Sequence, residues 1–215
     1  MPYINPDKIP IDDVVENLYN FDSIGALSLD GVLTTTGINE LNSFARTYNE
    51  LTKVKEMQGK VRQDMRTKYF YDIDEHTFSP QEFLPLQKFV DEYSLIYSEI
   101  AKKANFNGTS FNALGIHHYG ENSQGITPHQ DFSTDRDLIS IFILIGQDPL
   151  YVCLDRKKNG SIALAQNPGS LVLLRAARQE SEQKYRPIHY LNPVTSERYT
   201  LIVRKCDLQK NSKKY

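Results

Sequence analysis

The second half of the chain alternates between short apolar segments and turn-forming residues, and this pattern limits the folds open to it. Gly, Asn and Pro separate the segments, as in Lys158-Asn159-Gly160. Short strands at such spacing are typical of a β-sandwich or barrel, and eight of them suit a double-sheet jelly roll. The eight predicted strands cover residues 111–120, 126–131, 137–145, 150–155, 161–166, 170–175, 186–190 and 197–205.

The first half of the chain predicts a helical layer. Apolar residues recur every three or four positions over 38–57 and again from about 80 to 104, which indicates two long amphipathic helices. We also expect a short helix over 11–18, a strand over 24–33 and an amphipathic strand over 61–73. The predicted fold is therefore mainly β with N-terminal helices: a double-stranded β-helix, the cupin-like jelly roll, packed against two long amphipathic helices.

This pattern predicts a single domain over 1–215. Within it we expect a mostly helical support region over 1–108, a jelly-roll core over 109–206 and a flexible tail over 207–215. The pattern makes no prediction about the oligomeric state.

The composition argues against some kinds of function and indicates the cellular compartment. A net charge of −2 argues weakly against a nucleic-acid surface, which is usually basic. Two cysteines, Cys153 and Cys206, do not form a disulfide framework. The longest apolar run, 138–146, is too short to cross a membrane, and the N-terminus lacks the features of a signal peptide. We expect a cytoplasmic protein with no membrane partner.

A group of polar residues in the β-rich half has the spacing of a metal and anion site. His129 and Asp131 are two apart, so in a strand both project to one face and can hold a divalent metal. His189 is a possible third ligand, and two His with one carboxylate leave positions open, as non-haem Fe(II) requires. Arg198 follows nine residues later, and a guanidinium binds a carboxylate through two parallel hydrogen bonds.

The ordered set His-x-Asp, distant His and Arg resembles the Fe(II)/2-oxoglutarate-dependent dioxygenases over roughly residues 111–205. The resemblance implies that Fe(II) is held by His129, Asp131 and His189 as the catalytic centre, with 2-oxoglutarate as co-substrate and O₂ at the remaining position. It also implies that decarboxylation of 2-oxoglutarate to succinate and CO₂ is coupled to hydroxylation, desaturation or ring formation. The alternatives are a Zn²⁺ site of the same ligands and three functionally unrelated residues.

The same resemblance implies which residues bind the co-substrate. Arg198 pairs with its distal carboxylate, and the Thr200 hydroxyl, two residues on, assists. Tyr119 and His117 share one strand face, where each either lines the pocket or packs in the core. In the oxidative nucleic-acid demethylases a second Arg lies six residues after the first, near the metal end of the co-substrate, as Arg204 does here. Those enzymes have Asn in place of Thr200 and a longer gap after the distal His. The alternative for Arg204 is a surface pair with an acidic residue such as Asp207.

Candidate substrate residues lie in the segment 61–73, where basic and aromatic side chains interleave. Arg62, Arg66, Tyr69 and Tyr71 can clamp a small anionic or zwitterionic substrate, or they are a solvated basic face of an ordinary strand. We expect a small-molecule substrate and regard nucleic acid as unlikely. The alternatives are an oxidative demethylase or hydroxylase of nucleic acid or protein side chains, and a metal-binding jelly-roll protein without catalysis. His76 is expected to be a solvated loop residue.

Overall fold

The computed structural model describes residues 1–54, 61–73, 78, 81–164 and 167–207. Three α-helices lie in the first half of this described part: α1 (Ile11–Tyr19), α2 (Thr35–Thr47) and α3 (Leu84–Lys103). The strands are β1 (Ala26–Leu29), β2 (Thr52–Lys53), β3 (Gln63–Asp64), β4 (Arg66–Tyr71), β5 (Ala113–Tyr119), β6 (Gly125–His129), β7 (Asp135–Ile145), β8 (Leu150–Cys153), β9 (Ile162–Leu164), β10 (Leu171–Arg175), β11 (Ile188–Leu191) and β12 (Arg198–Cys206).

These strands form two antiparallel sheets. The larger sheet has the order β1-β10-β7-β12-β5-β4-β2, and the smaller has the order β3-β6-β11-β8-β9. The eight strands predicted between 111 and 205 all form, with ends that shift by at most a few residues. The predicted fold class, a jelly roll with N-terminal helices, is confirmed.

The larger sheet is buried on both of its faces. Along β12, Tyr199, Leu201 and Val203 belong to a core cluster shared with the helices, whereas Ile202 belongs to a second cluster between the sheets. Because successive side chains of a strand point to opposite faces, Arg198, Thr200 and Arg204 share the inner face with Ile202. The inner face of this sheet therefore carries the polar residues that the sequence singles out.

Helix α3 anchors the helical layer to the outer face of the larger sheet. Its apolar side chains recur at helical spacing, and Phe89, Tyr93 and Tyr97 are fully buried. The Phe89 ring meets Phe142 of β7 edge to face at 4.9 Å between centroids, and the Tyr93 hydroxyl donates to Ser140 Oγ at 2.7 Å. Edge-to-face pairs contribute roughly 1 kcal/mol beyond the area that they bury. The apolar side of the helix predicted from about 80 to 104 therefore lies in the core.

Helix α2 is shorter than the predicted 38–57 helix, and that prediction is wrong at its C-terminal end. The helix begins after Thr34, whose side chain caps Gly37 N–H at 3.1 Å, and it ends at Thr47. Tyr48 has extended backbone angles, and its ring packs against Phe83 at 6.1 Å between centroids. The apolar spacing persists beyond the helix because these side chains still reach the core from extended chain. The predicted end near residue 59 lies outside the described residues.

The predicted strand over 61–73 forms as two strands in different sheets. β3 pairs with β6 of the smaller sheet, and β4 pairs with β5 of the larger one. Met65, between them, is buried in the cluster that separates the sheets. The chain thus crosses from one sheet to the other at the edge where both meet, and this crossing forms part of a cavity wall.

Two further predictions concern positions outside the described residues. These are the solvated His76 and the flexible tail, of which Asp207 alone is described.

Both cysteines, Cys153 and Cys206, are buried free thiols. None of the described helices has the length and apolar character needed to cross a membrane.

Candidate metal centre and cavity

The two histidines of the candidate metal centre face each other across one strand pair. His129 ends β6, and its register partner in β11 is His189. Directly opposed residues have Cβ atoms roughly 5 Å apart, and here the ring centroids are 4.3 Å apart. Asp131 lies two residues beyond the strand end, with Oδ1 3.8 Å from His129 Nε2 and Oδ2 3.5 Å from His189 Nε2. One ligand atom from each residue lies within 4.8 Å of the others.

Hydrogen bonds to the backbone orient both imidazoles. The Nδ1–H group of His129 donates to the Thr127 carbonyl at 2.9 Å, and that of His189 lies 3.4 Å from the Pro187 carbonyl. In both rings Nδ1 therefore faces the backbone and Nε2 faces Asp131, which is the orientation that a ligating histidine needs. Burial, with His189 beside it, lowers the pKa of His129 to about 4. The imidazole is therefore neutral at neutral pH, the form that binds metals.

The carboxylate of the group is also in its ligating form. Burial alone would raise the pKa of Asp131, but the positive charge around it, including the Arg204 guanidinium, outweighs burial and holds that pKa below its usual value. The backbone that carries Asp131 is fixed from both sides. The Arg186 guanidinium donates to the Asp131 carbonyl, and the Gln130 side chain donates to the Arg186 carbonyl at 2.7 Å. These two contacts tie the segment after β6 to the segment before β11.

A cavity of about 470 Å³ opens beside the three residues, between the two sheets. Its polar lining includes the metal group and the predicted co-substrate residues, and its apolar lining includes the following residues: Met65, Ile126, Ile141, Leu150, Leu191 and Ile202. Such a volume and such a mostly apolar wall with a few polar groups are typical of small-molecule sites.

The predicted co-substrate residues lie on adjacent strands along this cavity. Register pairs Arg198 with Tyr119 and Thr200 with His117 across β12 and β5, and all four line the cavity. The Arg198 side chain is 3% exposed, and its guanidinium carbon lies 5.7 Å from the centre of the Tyr119 ring. Gly146, which follows β7, has a φ of 98° and no side chain. The end of β7 can therefore lie close to Arg198, because a Cβ at Gly146 would lie 2.9 Å from Arg198 Cβ.

Glu197, the residue before Arg198, contacts two side chains. It pairs with Arg46 of α2 at 2.7 Å. It also contacts His118 Nε2 at 3.1 Å. His118 lies on the outer face, as its position beside His117 predicts, and stacks on Tyr199 at 4.2 Å between centroids.

Arg204 is buried in the cavity wall rather than paired at the surface. Its Nη1 lies 2.8 Å from Asp135 Oδ2, and its Nη2 donates to the Tyr69 hydroxyl at 2.9 Å. The suggested surface pair with Asp207 is therefore replaced by a buried pair with Asp135. Sequence reasoning missed Asp135, because the bulge that brings it opposite Cys206 leaves no local signal.

Only two of the four predicted substrate residues lie at the cavity. Tyr69 and Tyr71 line the cavity, with their rings nearly parallel and 5.9 Å apart. Arg66 projects from the other face of β4, because Thr67, Tyr69 and Tyr71 occupy the cavity face. Arg62 precedes β3 and is exposed. The structure brings the tyrosines to the cavity and does not bring Arg62 or Arg66 there.

Comparison with known proteins gives structural neighbours only. No family model matches the chain, and no curated protein matches it. A prolyl-4-hydroxylase from Pseudomonas putida superposes with a TM-score of 0.70 at 14% identity, over 91% of this chain and 98% of that one. A prolyl hydroxylase from Trichoplax adhaerens, in complex with a hypoxia inducible factor peptide fragment, gives 0.69 at 11% identity, over 95% and 94%.

A third neighbour is a full-length Neurospora crassa protein in complex with alpha-KG, that is, 2-oxoglutarate. Its TM-score is 0.64 at 11% identity, over 92% of this chain and 80% of that one. Identities this low establish the fold and not the activity. The fold expected from the His-x-Asp resemblance is the one found.

Proposed function

We propose that this chain is an Fe(II)- and 2-oxoglutarate-dependent oxygenase. The observation that carries the proposal is that two kinds of site share one cavity. His129, Asp131 and His189 form a group that can hold a metal, and Arg198 and Thr200 line the same cavity from the adjoining sheet. The fold shared with the prolyl hydroxylases supports the proposal.

The donor set fits Fe(II). Two imidazole nitrogens and one carboxylate occupy one side of a metal and leave the remaining positions for small ligands. The neutral imidazole of His129 and the ionised carboxylate of Asp131 need no further proton loss at neutral pH. Zn²⁺ accepts the same donors, but a zinc site alone would give no role to the buried guanidinium of Arg198. Bound together, Fe(II), 2-oxoglutarate and O₂ would supply the oxidising chemistry.

The lining between Arg198 and the metal group fits a dicarboxylate. Arg198 is an always-charged group with a planar fork that matches a carboxylate. The Thr200 hydroxyl oxygen is buried and has no hydrogen-bond partner within the described part of the chain. A buried hydroxyl without a partner costs roughly 1–3 kcal/mol, so a carboxylate oxygen there would relieve that cost. Tyr119, opposite Arg198, would close the same end.

The chain's own contribution to the reaction would be to bind, orient and exclude water. The apolar wall built from Ile141, Leu150 and Leu191 lines the space in which the co-substrate would lie. Water-free surroundings strengthen the pairing with Arg198 and prevent side reactions. The net reaction would be RH + 2-oxoglutarate + O₂ → ROH + succinate + CO₂, with desaturation or ring formation as other outcomes. Because Asp131 would occupy a ligand position on the metal, that position is not free for a halide ion, and we expect no halogenated product.

We propose a small-molecule substrate whose reacting part enters the cavity against Tyr69 and Tyr71. The predicted anionic or zwitterionic character of the substrate depends on Arg62 or Arg66. Because neither residue lines the cavity, such a contact would have to be made by a part of the substrate outside it.

The test is succinate release by the purified protein with Fe(II), 2-oxoglutarate and O₂, in parallel with iron binding under anaerobic conditions. We expect about one Fe(II) per chain and slow succinate formation even without substrate. Iron binding without any succinate, with or without candidate substrates, would instead favour the metal-binding protein without catalysis.

A further inference from the structure

Tyr69 reaches from β4 across β5 to β12, and a glycine makes this possible. Its register partner in β5 is Gly115, and a Cβ added at Gly115 would lie 2.5 Å from Tyr69 Cε1. The ring therefore lies over the backbone of β5, in the space that a side chain at Gly115 would fill. Its hydroxyl arrives at Arg204, two strands away from its own Cα.

The Tyr69 hydroxyl joins two cavity residues in one hydrogen-bonded series. Arg204 Nη2 lies 2.9 Å from it, and His117 Nε2 lies 2.6 Å from it. Arg204 is held on its other side by Asp135 at 2.8 Å. The series therefore runs from Asp135 through Arg204 and Tyr69 to His117.

The donors and the lengths of the bonds in this series indicate their directions. A guanidinium only donates, so the Tyr69 oxygen accepts from Arg204. The 2.6 Å separation from His117 Nε2 is shorter than the roughly 2.7–3.2 Å of an N–H···O bond and fits an O–H donor, so the phenol proton is directed to His117 Nε2. A neutral imidazole that accepts at Nε2 carries its proton on Nδ1. Burial, which opposes charge on both rings, agrees: it lowers the pKa of His117 to about 3 and raises that of the Tyr69 phenol.

We propose that Tyr69 is a positioning residue that fixes His117 as a hydrogen-bond donor, through Nδ1, on the cavity wall beside Thr200. His117 and Thr200 are register partners, and Arg198 lies two residues from Thr200 on the same strand face. The wall then offers a guanidinium, a hydroxyl and an imidazole N–H together. The complementary ligand is an anionic or carbonyl oxygen, and the part of this inference that concerns 2-oxoglutarate rests on the proposed function.

The first test measures the tautomer of His117 directly. Ring-nitrogen NMR on metal-free protein isotopically labelled at histidine distinguishes protonation at Nδ1 from protonation at Nε2, and a His117→Gln variant assigns the signal. We expect the proton on Nδ1 in the wild type and altered ring-nitrogen signals in Tyr69→Phe, which removes only the hydroxyl. Gly115→Ala should displace the Tyr69 ring and alter the same signals. A proton on Nε2 in the wild type, or unchanged signals in Tyr69→Phe, overturns the inference.

The matched control is Tyr93→Phe. It also removes one buried hydroxyl, whose partner is Ser140 on the helix side of the larger sheet. The loss of thermal stability should be similar in the two variants. The His117 signals should change in Tyr69→Phe only, which separates positioning from a general loss of packing.

The second test concerns the ligand. In anaerobic calorimetry with Fe(II), Tyr69→Phe should bind 2-oxoglutarate about tenfold more weakly than the wild type, the size of effect expected for a weakened hydrogen bond to a charged group. Tyr93→Phe should match the wild type. Equal affinity in Tyr69→Phe overturns the co-substrate role of His117. If the wild type itself does not bind 2-oxoglutarate, the proposed function fails, while the tautomer test still decides whether Tyr69 fixes His117.

Discussion

His129 and His189 are directly opposed across β6 and β11, so that a single strand pair sets the distance between two of the three candidate metal ligands. Only Asp131 lies outside the pair, on the segment that follows β6. The geometry of the centre therefore depends on the β6–β11 pair and on the segment after β6 that Arg186 holds in place. Substitutions can test these two contributions separately.

Removal of either imidazole should weaken metal binding strongly. Loss of a residue that only orients a ligand already costs about 10–100-fold in metal affinity, so we expect His129→Ala and His189→Ala each to lower Fe(II) affinity by at least about a hundredfold. Anaerobic titration measures it. His118→Ala is the control, because His118 stacks on Tyr199 on the outer face of the larger sheet, away from the cavity. Undiminished affinity in both ligand variants would show that the metal binds elsewhere.

The tether on Asp131 should affect the metal and not the fold. Arg186→Ala removes the guanidinium that donates to the Asp131 carbonyl and leaves all three ligands in place. We expect Fe(II) affinity to fall by about tenfold, as for other residues that orient ligands, while the circular dichroism spectrum is retained. The contrary result is wild-type affinity in Arg186→Ala, which would mean that the turn holds its position without this contact.

Reversal of charge at Arg198 should separate co-substrate binding from metal binding. Arg198→Glu places a carboxylate against the carboxylate of 2-oxoglutarate in a partly dry site, where repulsion is poorly screened. We expect no measurable 2-oxoglutarate binding by calorimetry and retained binding of Fe(II). Arg46→Glu reverses an exposed arginine that pairs with Glu197 and should leave both unchanged. Normal 2-oxoglutarate affinity in Arg198→Glu would refute the assignment.

A buried arginine outside the site should control stability. The Arg175 side chain is 4% exposed, and it donates to the backbone carbonyls of Leu18, Asn20 and Tyr185. Arg175→Ala leaves the Leu18 and Tyr185 carbonyls without this donor, whereas the Asn20 carbonyl still accepts from Ser23. Each buried unsatisfied group costs about 1–3 kcal/mol, so we expect a loss of roughly 2–6 kcal/mol in the free energy of unfolding, measured by urea denaturation.

Arg46→Ala is the comparison for that measurement, since an exposed ion pair contributes at most about 1 kcal/mol. A loss as small in Arg175→Ala as in Arg46→Ala would show that water replaces the guanidinium at these carbonyls.

The β-rich half is predictable from the sequence because local signals there agree. Strands 135–145 and 198–206 contain apolar runs, Gly146 follows the first of them, and the alternation of side chains is enough to place Arg198 and Thr200 on one face. The set of His129, Asp131 and His189 is likewise recognisable from its order in the sequence, although β6 ends at His129 and Asp131 lies beyond the strand.

The features that sequence reasoning misses depend on tertiary contacts. Tyr48 and Leu51 continue a helical spacing after the helix has ended, because apolar side chains pack on the core from either backbone conformation. The partner of Arg204 is Asp135, 69 residues away. The division of 61–73 into two strands follows from which sheet each half pairs with.

The two faces of β12 line different parts of the interior: one packs against the helices and the other lines the cavity. The site therefore depends on the number of residues in β12 as well as on their identity. Deleting a single residue within 199–202 would exchange the two faces beyond that point. Arg204 would then be carried toward the helices, and Val203 would be carried into the cavity. Homologous chains that keep this site should therefore vary in the loops around β12 and in the identity of its apolar residues, but not in the number of residues between Arg198 and Arg204.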